Sequence, residues 1–200
     1  MRPHLGHSAD RRLIAKAAVC PHTTCYGDTM AGIASMRDED LADFSAFLDE
    51  FQQETDRGAA LVGAALIDLK LADTLRSFMV SPAAARSLLD GGTAALGTFS
   101  ARIKATFALG LIDDNERREC DIIRRVRNEF AHRPHGVGFD DPAIATFCER
   151  LQSDLPGSRD QHKGRFRFIF INAVILTVLR LTYRAERVAL ERRVTRTWPY

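Results

Sequence analysis

The residues whose types and spacing best suit chemistry lie in one short segment, which carries Arg127, Asn128 and His132. An imidazole titrates near neutral pH and can move a proton to or from a ribose hydroxyl. A guanidinium can grip a phosphate through two parallel hydrogen bonds. On a helix that turns about 100° per residue, Asn128 and His132 lie about 40° apart, but Arg127 and His132 lie about 140° apart. Arg127 and His132 can therefore line one cleft only if the helix frays at His132 or if a second subunit completes the site.

This segment resembles the Arg-x4-His motif of HEPN domains, small helical bundles that often dimerise and in some branches cleave RNA. The resemblance implies that His132 is the acid–base group, Arg127 the phosphate clamp and Asn128 a positioning residue. The structural alternative is that these side chains hydrogen-bond neighbouring helix ends and fix the bundle. We favour the structural alternative over RNA cleavage.

Four motifs in a fixed order carry a second resemblance, at residues 54–60, 98–104, 108–112 and 123–132. Together they resemble the mannitol operon repressor family, the MtlR-like proteins, over roughly residues 38–155. The resemblance implies an all-helical bacterial regulator, assigned to repression of a sugar-alcohol uptake operon and without a recognised DNA-binding motif. The sequence agrees, because no short helix, glycine-containing turn and second helix with exposed polar positions follow one another.

Polar residues of these motifs form a candidate network, either structural or ligand-binding. Glu54, Asp56 and Arg57 stand near a helix start, where they can cap amides and pair with one another. Arg102 and Lys104 lie on different helix faces, so we expect only one of them to reach Glu54 or Asp56. We favour the structural interpretation of this network. A bound small anion would lie where four donors converge: Arg57, Arg102, Arg127 and His132.

The C-terminal end holds the strongest positive charge. Residues 41–158 carry 13 basic and 18 acidic side chains, whereas residues 159–200 carry 10 and 3. Such a basic end attracts polyanions, and a helical stripe of arginines suits a phosphate backbone. A solvated arginine face is the commoner alternative. The candidates for nucleic-acid contact are Arg180, Arg184 and Arg187, spaced for one helix face, with Arg192 and Arg193 beyond them.

Apolar residues recur at three and four positions from Asp38 onward, which predicts helices almost throughout. No stretch alternates as a strand would. We predict an all-α fold: a single compact bundle of six or seven helices with a long C-terminal helix. The first expected helix begins at Asp38, and others cover about Asp56–Val80, Thr98–Gly110, Pro142–Leu151 and Gln161–Arg193. Asp113 or Asp114 is the predicted N-cap of a further helix, which should end near His132.

Residues 1–36 lack sustained periodicity, so we predict a flexible extension before a helical domain at residues 37–196. Met30 and Met36 raise the alternative of a later start codon. No apolar signal segment opens the chain, which favours a cytoplasmic protein with reduced cysteines. Histidines and cysteines between His4 and Cys25 have zinc-compatible types but no zinc-site spacing, so no metal is predicted. No cofactor is predicted either, because phosphate-loop and dinucleotide fingerprints are missing.

The long apolar run at Phe168–Leu179 is interrupted and shorter than a bilayer span, so we expect a buried helix and no membrane contact. Apolar residues around more than one face of the last helix predict a homodimer. The leading hypothesis is a non-enzymatic transcriptional regulator acting on DNA or on another transcription regulator. The alternatives are an HEPN-like RNA-binding or RNA-cleaving module, ranked lower, and a protein-interaction adaptor.

Overall fold

The computed structural model describes residues 37–199, and the predictions for residues 1–36 lie outside this range. Within it the fold is all-α, as predicted, and no strand occurs there. A short 3₁₀ helix, Arg159–His162, precedes the seventh α-helix. The α-helices are α1 (Asp38–Gln53), α2 (Asp56–Phe78), α3 (Pro82–Leu89), α4 (Phe99–Ala108), α5 (Asp114–His132), α6 (Pro142–Glu149), α7 (Phe166–Thr182) and α8 (Arg184–Ala189).

Side-chain caps fix the starts of the helices that carry the polar motifs. Thr55 accepts a hydrogen bond from the Gly58 amide at 3.0 Å and begins α2. Asp113 and Glu116 form a reciprocal capping box at the start of α5, with bonds of 2.8 and 3.0 Å. The predicted N-cap of α5 is therefore confirmed, since two amides that the helix cannot satisfy internally are bonded.

Helix α2 is the central element, and α1, α3, α4, α5, α7 and α8 all pack against it. Its buried face is built from small residues, including Ala59, Ala60 and Gly63. A Cβ atom at Gly63 would lie 3.0 Å from both Phe51 Cζ and Val174 Cγ1. The small residues thus let α1 and α7 approach α2 closely, as their types predict.

The long C-terminal helix is confirmed, but it is bent and shorter than expected. Gly164 takes a φ of +79° and ends the preceding 3₁₀ segment, so α7 begins at Phe166 instead of Gln161. Tyr183 leaves helical geometry, with φ −100° and ψ 10°, and separates α7 from α8. The chain after Ala189 has no further helix within the described residues.

The bundle itself buries α7. Ile169, Phe170, Ile171, Val174 and Val178 are all buried within one chain. The other large apolar side chains, Phe166, Phe168 and Ile175, are half-buried against the same core. The premise that one chain has too little surface to bury this helix was therefore wrong, because α2, α5, α6 and α8 surround it. The homodimer remains a prediction without that support.

Phe166–Ala189 is long and apolar enough to span a membrane, judged by length and composition alone. Its most apolar stretch has a mean hydropathy of 1.6. In the fold, 44% of the tested stretch is buried inside the protein. Its packing against α2, α5 and α6 explains the same apolar composition, since a helix with neighbours on several sides is apolar on several sides. The expectation of a buried helix is confirmed.

Helix α3 was not predicted from the sequence. Ser81 caps it by accepting from the Ala84 amide at 3.2 Å, and Pro82 occupies its first turn. Ala85 and Leu89 pack with Leu75 and Val188 in a second small core. Two buried residues over eight positions give too short a pattern to identify a helix from periodicity.

Candidate functional site

Arg57 lies at the start of α2 and binds the end of α5. Its guanidinium donates to the carbonyl oxygens of Phe130, Arg133 and Pro134, the last two at 2.7 and 3.2 Å. The last carbonyls of a helix have no partner within the helix and need an outside donor. Arg57 supplies three such hydrogen bonds, so its donors are occupied by the fold.

Asp56 joins α2 to two distant segments. One carboxylate oxygen accepts from the Phe139 amide at 3.2 Å, and the other pairs with Arg167 Nε at 3.0 Å. Arg167 also donates to the carbonyl of Glu54. The Glu54 side chain is exposed and lies over Gly58, where a Cβ atom would collide with its carboxylate. Asp56 therefore anchors α7 and the segment before α6 to the start of α2.

Arg102 fixes α4 to the middle of α2. It pairs with Asp68 at 2.7 Å and donates to the carbonyls of Leu89 and Leu96, each at 3.0 Å. The expectation that Arg102 or Lys104 reaches Glu54 or Asp56 was wrong, because α4 meets α2 near Asp68, about 18 Å beyond Asp56 along the helix. Lys104 is exposed on the opposite side of α4.

The four donors expected to converge on an anion do not meet. Arg57 and the Arg102 partner Asp68 are eleven residues apart on α2, a separation of about 16 Å along the helix. Arg127 donates to its neighbour Asn128 at 3.1 Å. His132 is the exposed last residue of α5, which stays helical to that point, so the angle of about 140° to Arg127 is retained.

The C-terminal arginines differ in what they bind. Arg184 donates to the Leu111 carbonyl at 2.6 Å and to both carboxylate oxygens of Glu116, at 2.6 and 3.1 Å. Its side chain is 25% exposed, and that of Glu116 is 5% exposed. Arg192 donates to the Met79 carbonyl at 2.8 Å. Both guanidiniums are therefore held by the fold.

The predicted arginine stripe is also interrupted. The bend at Tyr183 lies between Arg180, which is half-buried on α7, and Arg187, which is exposed on α8. The Arg193 amide donates to the Phe78 carbonyl at 3.2 Å, and its guanidinium lies 5.6 Å from the centre of the Phe78 ring. The five candidates thus do not form one continuous basic face, because helical spacing holds only along an unbroken helix.

A groove of about 450 Å³ opens between the outer face of α5 and the end of α6. We call it the α5–α6 groove. Ile122, 7% exposed, is the apolar residue in its lining. The Glu119 carboxylate is occupied, since it accepts from the Gln152 amide at 2.7 Å and the Ser153 hydroxyl at 2.6 Å. The lining residues are Asn115, Arg117, Arg118, Glu119, Asp121, Ile122, Arg125, Arg150 and Gln152.

Two of the four arginines that line this groove make no ion pair within residues 37–199. Arg117 and Arg118 pair with Asp114, at 2.7 and 3.3 Å. Arg125 is exposed, and its guanidinium lies 6.0 Å from the centre of the Phe147 ring. Arg150 is exposed, and its guanidinium has no hydrogen-bond partner in the described part of the chain. Two planar donors from different elements can together bind an oxyanion.

Sequence reasoning missed Arg125 and Arg150. Arg118 and Arg125 are seven residues apart, which places them on one face of α5 and was a usable signal. Nothing in the sequence links Arg150 to that face, because the contact depends on how α6 packs against α5.

The titratable groups argue against a thiol nucleophile in the described structure. Burial raises the pKa of Cys148 to about 12 and raises that of Cys120 further. Both thiols thus stay protonated near neutral pH, whereas a nucleophilic cysteine needs its thiolate. Within residues 37–199, no three histidine, cysteine, aspartate or glutamate side chains are grouped so as to hold a metal.

Comparisons with known proteins give one structural likeness. No family model and no curated protein sequence matches the chain. A solved structure of the MtlR–HPr complex from Escherichia coli resembles it with a TM-score of 0.49 and 23% identity. The likeness covers 74% of this chain and 99% of that chain.

Proposed function

We propose that this chain is a non-enzymatic, cytoplasmic regulator of transcription that acts by binding another protein at the α5–α6 groove. The four ordered motifs that resemble the MtlR-like family support a regulatory role. The observation that carries the protein-binding mode is the exposure of Arg125 and Arg150, without ion pairs among the described residues, in a groove of about 450 Å³. Arg184 and Arg192, candidates for DNA contact, are instead held by the fold.

The charge around the groove favours an acidic protein segment over a nucleic-acid backbone. Asp121 lines the groove. Asp114 on α5 and Glu149 on α6 are exposed, and each is next in sequence to a lining residue. A long polyanion would meet these carboxylates along its length, whereas binding to DNA improves with each phosphate neutralised. A short partner segment with a single carboxylate or phosphate can contact Arg125 or Arg150 without lying along these carboxylates.

DNA binding is tested by titrating the purified chain against DNA from its own upstream region and an unrelated duplex, over a range of salt concentrations. We expect weak and equal binding to both. Selective binding of the upstream duplex at about 150 mM salt would overturn the protein-binding mode and identify a direct repressor. RNA incubated with the native chain and with His132→Ala should remain intact in both samples. Cleavage that His132→Ala abolishes would support the HEPN-like alternative.

The partner is sought with a photo-crosslinking amino acid at residue 152, whose side chain lines the groove and is exposed. The matched control carries the same group at exposed residue 86 on α3. We expect an adduct of defined mass from residue 152 only. The purified partner should then lose at least about tenfold in affinity for Arg125→Glu/Arg150→Glu, as expected when close charge pairs are reversed. Equal adducts at both positions, or none, would contradict the assignment.

A further inference from the structure

The outward face of α2 is apolar, although α2 is the central helix of the bundle. Leu61, Val62 and Leu69 are 37%, 40% and 54% exposed, and Ala65 between them is also exposed. A helix with one face in the core normally presents charged or polar residues to solvent. Here no charged residue occurs between Arg57 and Asp68. This α2 face, defined as Leu61, Val62, Ala65 and Leu69, therefore has the composition of a contact surface.

Three residues of the α2 face are arranged symmetrically. Leu61 and Leu69 lie four residues on either side of Ala65. The three positions fall within about 80° of one another around the helix. A two-fold axis through Ala65 would place Leu61 of one copy against Leu69 of the other. The small Ala65 side chain at the crossing would let two such helices approach closely, with their four-residue ridges interdigitated.

Charge at the two ends of α2 favours an antiparallel pair. Asp49, Glu50 and Glu54 are exposed at the amino-terminal end, and the Glu54 carboxylate lies over Gly58. Three arginines lie at the carboxyl-terminal end. Asp73 and Asp90 pair with the first of them, whereas the other two, beside the exposed Glu191, form no ion pair among the described residues. An antiparallel arrangement brings opposite charges together at both ends. The arginines are Arg76, Arg192 and Arg193.

We propose that the α2 face is where two copies of this chain meet, antiparallel and crossing at Ala65. The inference does not depend on the proposed function, since the α5–α6 groove is formed by other helices.

Disulfide trapping tests the geometry in the full chain with Cys20→Ser and Cys25→Ser. The remaining thiols, Cys120 and Cys148, are buried. Ala65→Cys should form an intermolecular disulfide on mild oxidation. Leu61→Cys alone should not, because its two copies would lie about 12 Å apart along the axis, whereas a disulfide needs Cα atoms within about 7 Å. A mixture of Leu61→Cys and Leu69→Cys should form the mixed dimer.

Sedimentation equilibrium then measures the dimer without a crosslink. Leu69→Asp should raise the dissociation constant at least about tenfold, because it buries a charge at the interface. Leu109→Asp is the matched control, since Leu109 is 47% exposed at the end of α4 and outside the face. A native chain that is monomeric at about 100 µM would overturn the proposal. Preferential self-crosslinking of Leu61→Cys, or equal weakening by both aspartates, would also overturn it.

Discussion

Arg184 and Arg150 lie on the surface of the same bundle, yet the fold uses them differently. Arg184 binds both oxygens of a nearly buried Glu116 carboxylate and the Leu111 carbonyl. Arg150 is exposed and has no hydrogen-bond partner for its guanidinium within residues 37–199. The density of arginines along a sequence therefore does not identify a binding surface. An arginine is available to a partner only when no carboxylate or carbonyl elsewhere in the fold already binds its guanidinium.

The largest expected effect is the loss of stability in Arg184→Ala. It leaves the Glu116 carboxylate, 5% exposed, without its cationic partner. Removing one member of such a pair costs about 3 kcal/mol in the free energy of unfolding. For a chain of this size, that corresponds to a fall in Tm of about 6–12 °C. Thermal unfolding followed by circular dichroism measures the change.

The matched control for this variant is Arg187→Ala, which removes an exposed arginine from the same short helix. Its Tm should change little, because exposed substitutions away from specific contacts usually alter stability by less than about 0.5 kcal/mol. Equal Tm values for the two variants would remove the distinction between arginines bound in the fold and arginines exposed on it.

A smaller loss of stability is expected for Arg102→Lys. Arg102 uses three nitrogens to bind Asp68 and the carbonyls of Leu89 and Leu96. A lysine keeps the charge but cannot reproduce this planar set of donors. We expect a loss of about 1–2 kcal/mol in urea unfolding, corresponding to one or two hydrogen bonds. Lys104→Ala, at an exposed position of the same helix, is the control and should be neutral.

The smallest effect on stability is expected for Arg125→Glu/Arg150→Glu, because neither guanidinium forms an ion pair among the described residues. The free energy of unfolding measured in urea should change by no more than about 0.5 kcal/mol per substitution. Affinity for the partner captured at residue 152 should fall and should lose most of its salt dependence. A double variant that unfolds as easily as Arg184→Ala would mean that this pair also belongs to the structural network.

Those parts of the fold that depend on local interactions could be predicted from the sequence. The N-cap of α5 at Asp113 and the end of α5 at His132 both follow from residues within one or two turns. The shorter last helix depends on backbone geometry at Gly164 and Tyr183, which its apolar pattern does not reveal. Helical periodicity continues through such a bend unless a proline marks it.

The polar contacts could not be predicted, because their partners are far apart in sequence. Arg167 pairs with Asp56 across 111 positions, and Arg184 pairs with Glu116 across 68. Each residue type allows many partners, and only the packing of α7 and α8 on α2 and α5 selects one. The α5–α6 groove could not be predicted for the same reason, since Arg125 and Arg150 line one groove only because α6 packs against α5.

The most direct test of the account is rescue of transcription in cells that lack this chain. Transcripts changed by the deletion are measured after expression of the native chain, Arg125→Glu/Arg150→Glu, or the charge-matched Arg86→Glu/Arg187→Glu. Arg86 and Arg187 are exposed and lie outside the groove lining. The account predicts rescue by the native chain and by Arg86→Glu/Arg187→Glu only. Rescue by the groove variant, or failure of Arg86→Glu/Arg187→Glu to rescue, would contradict it.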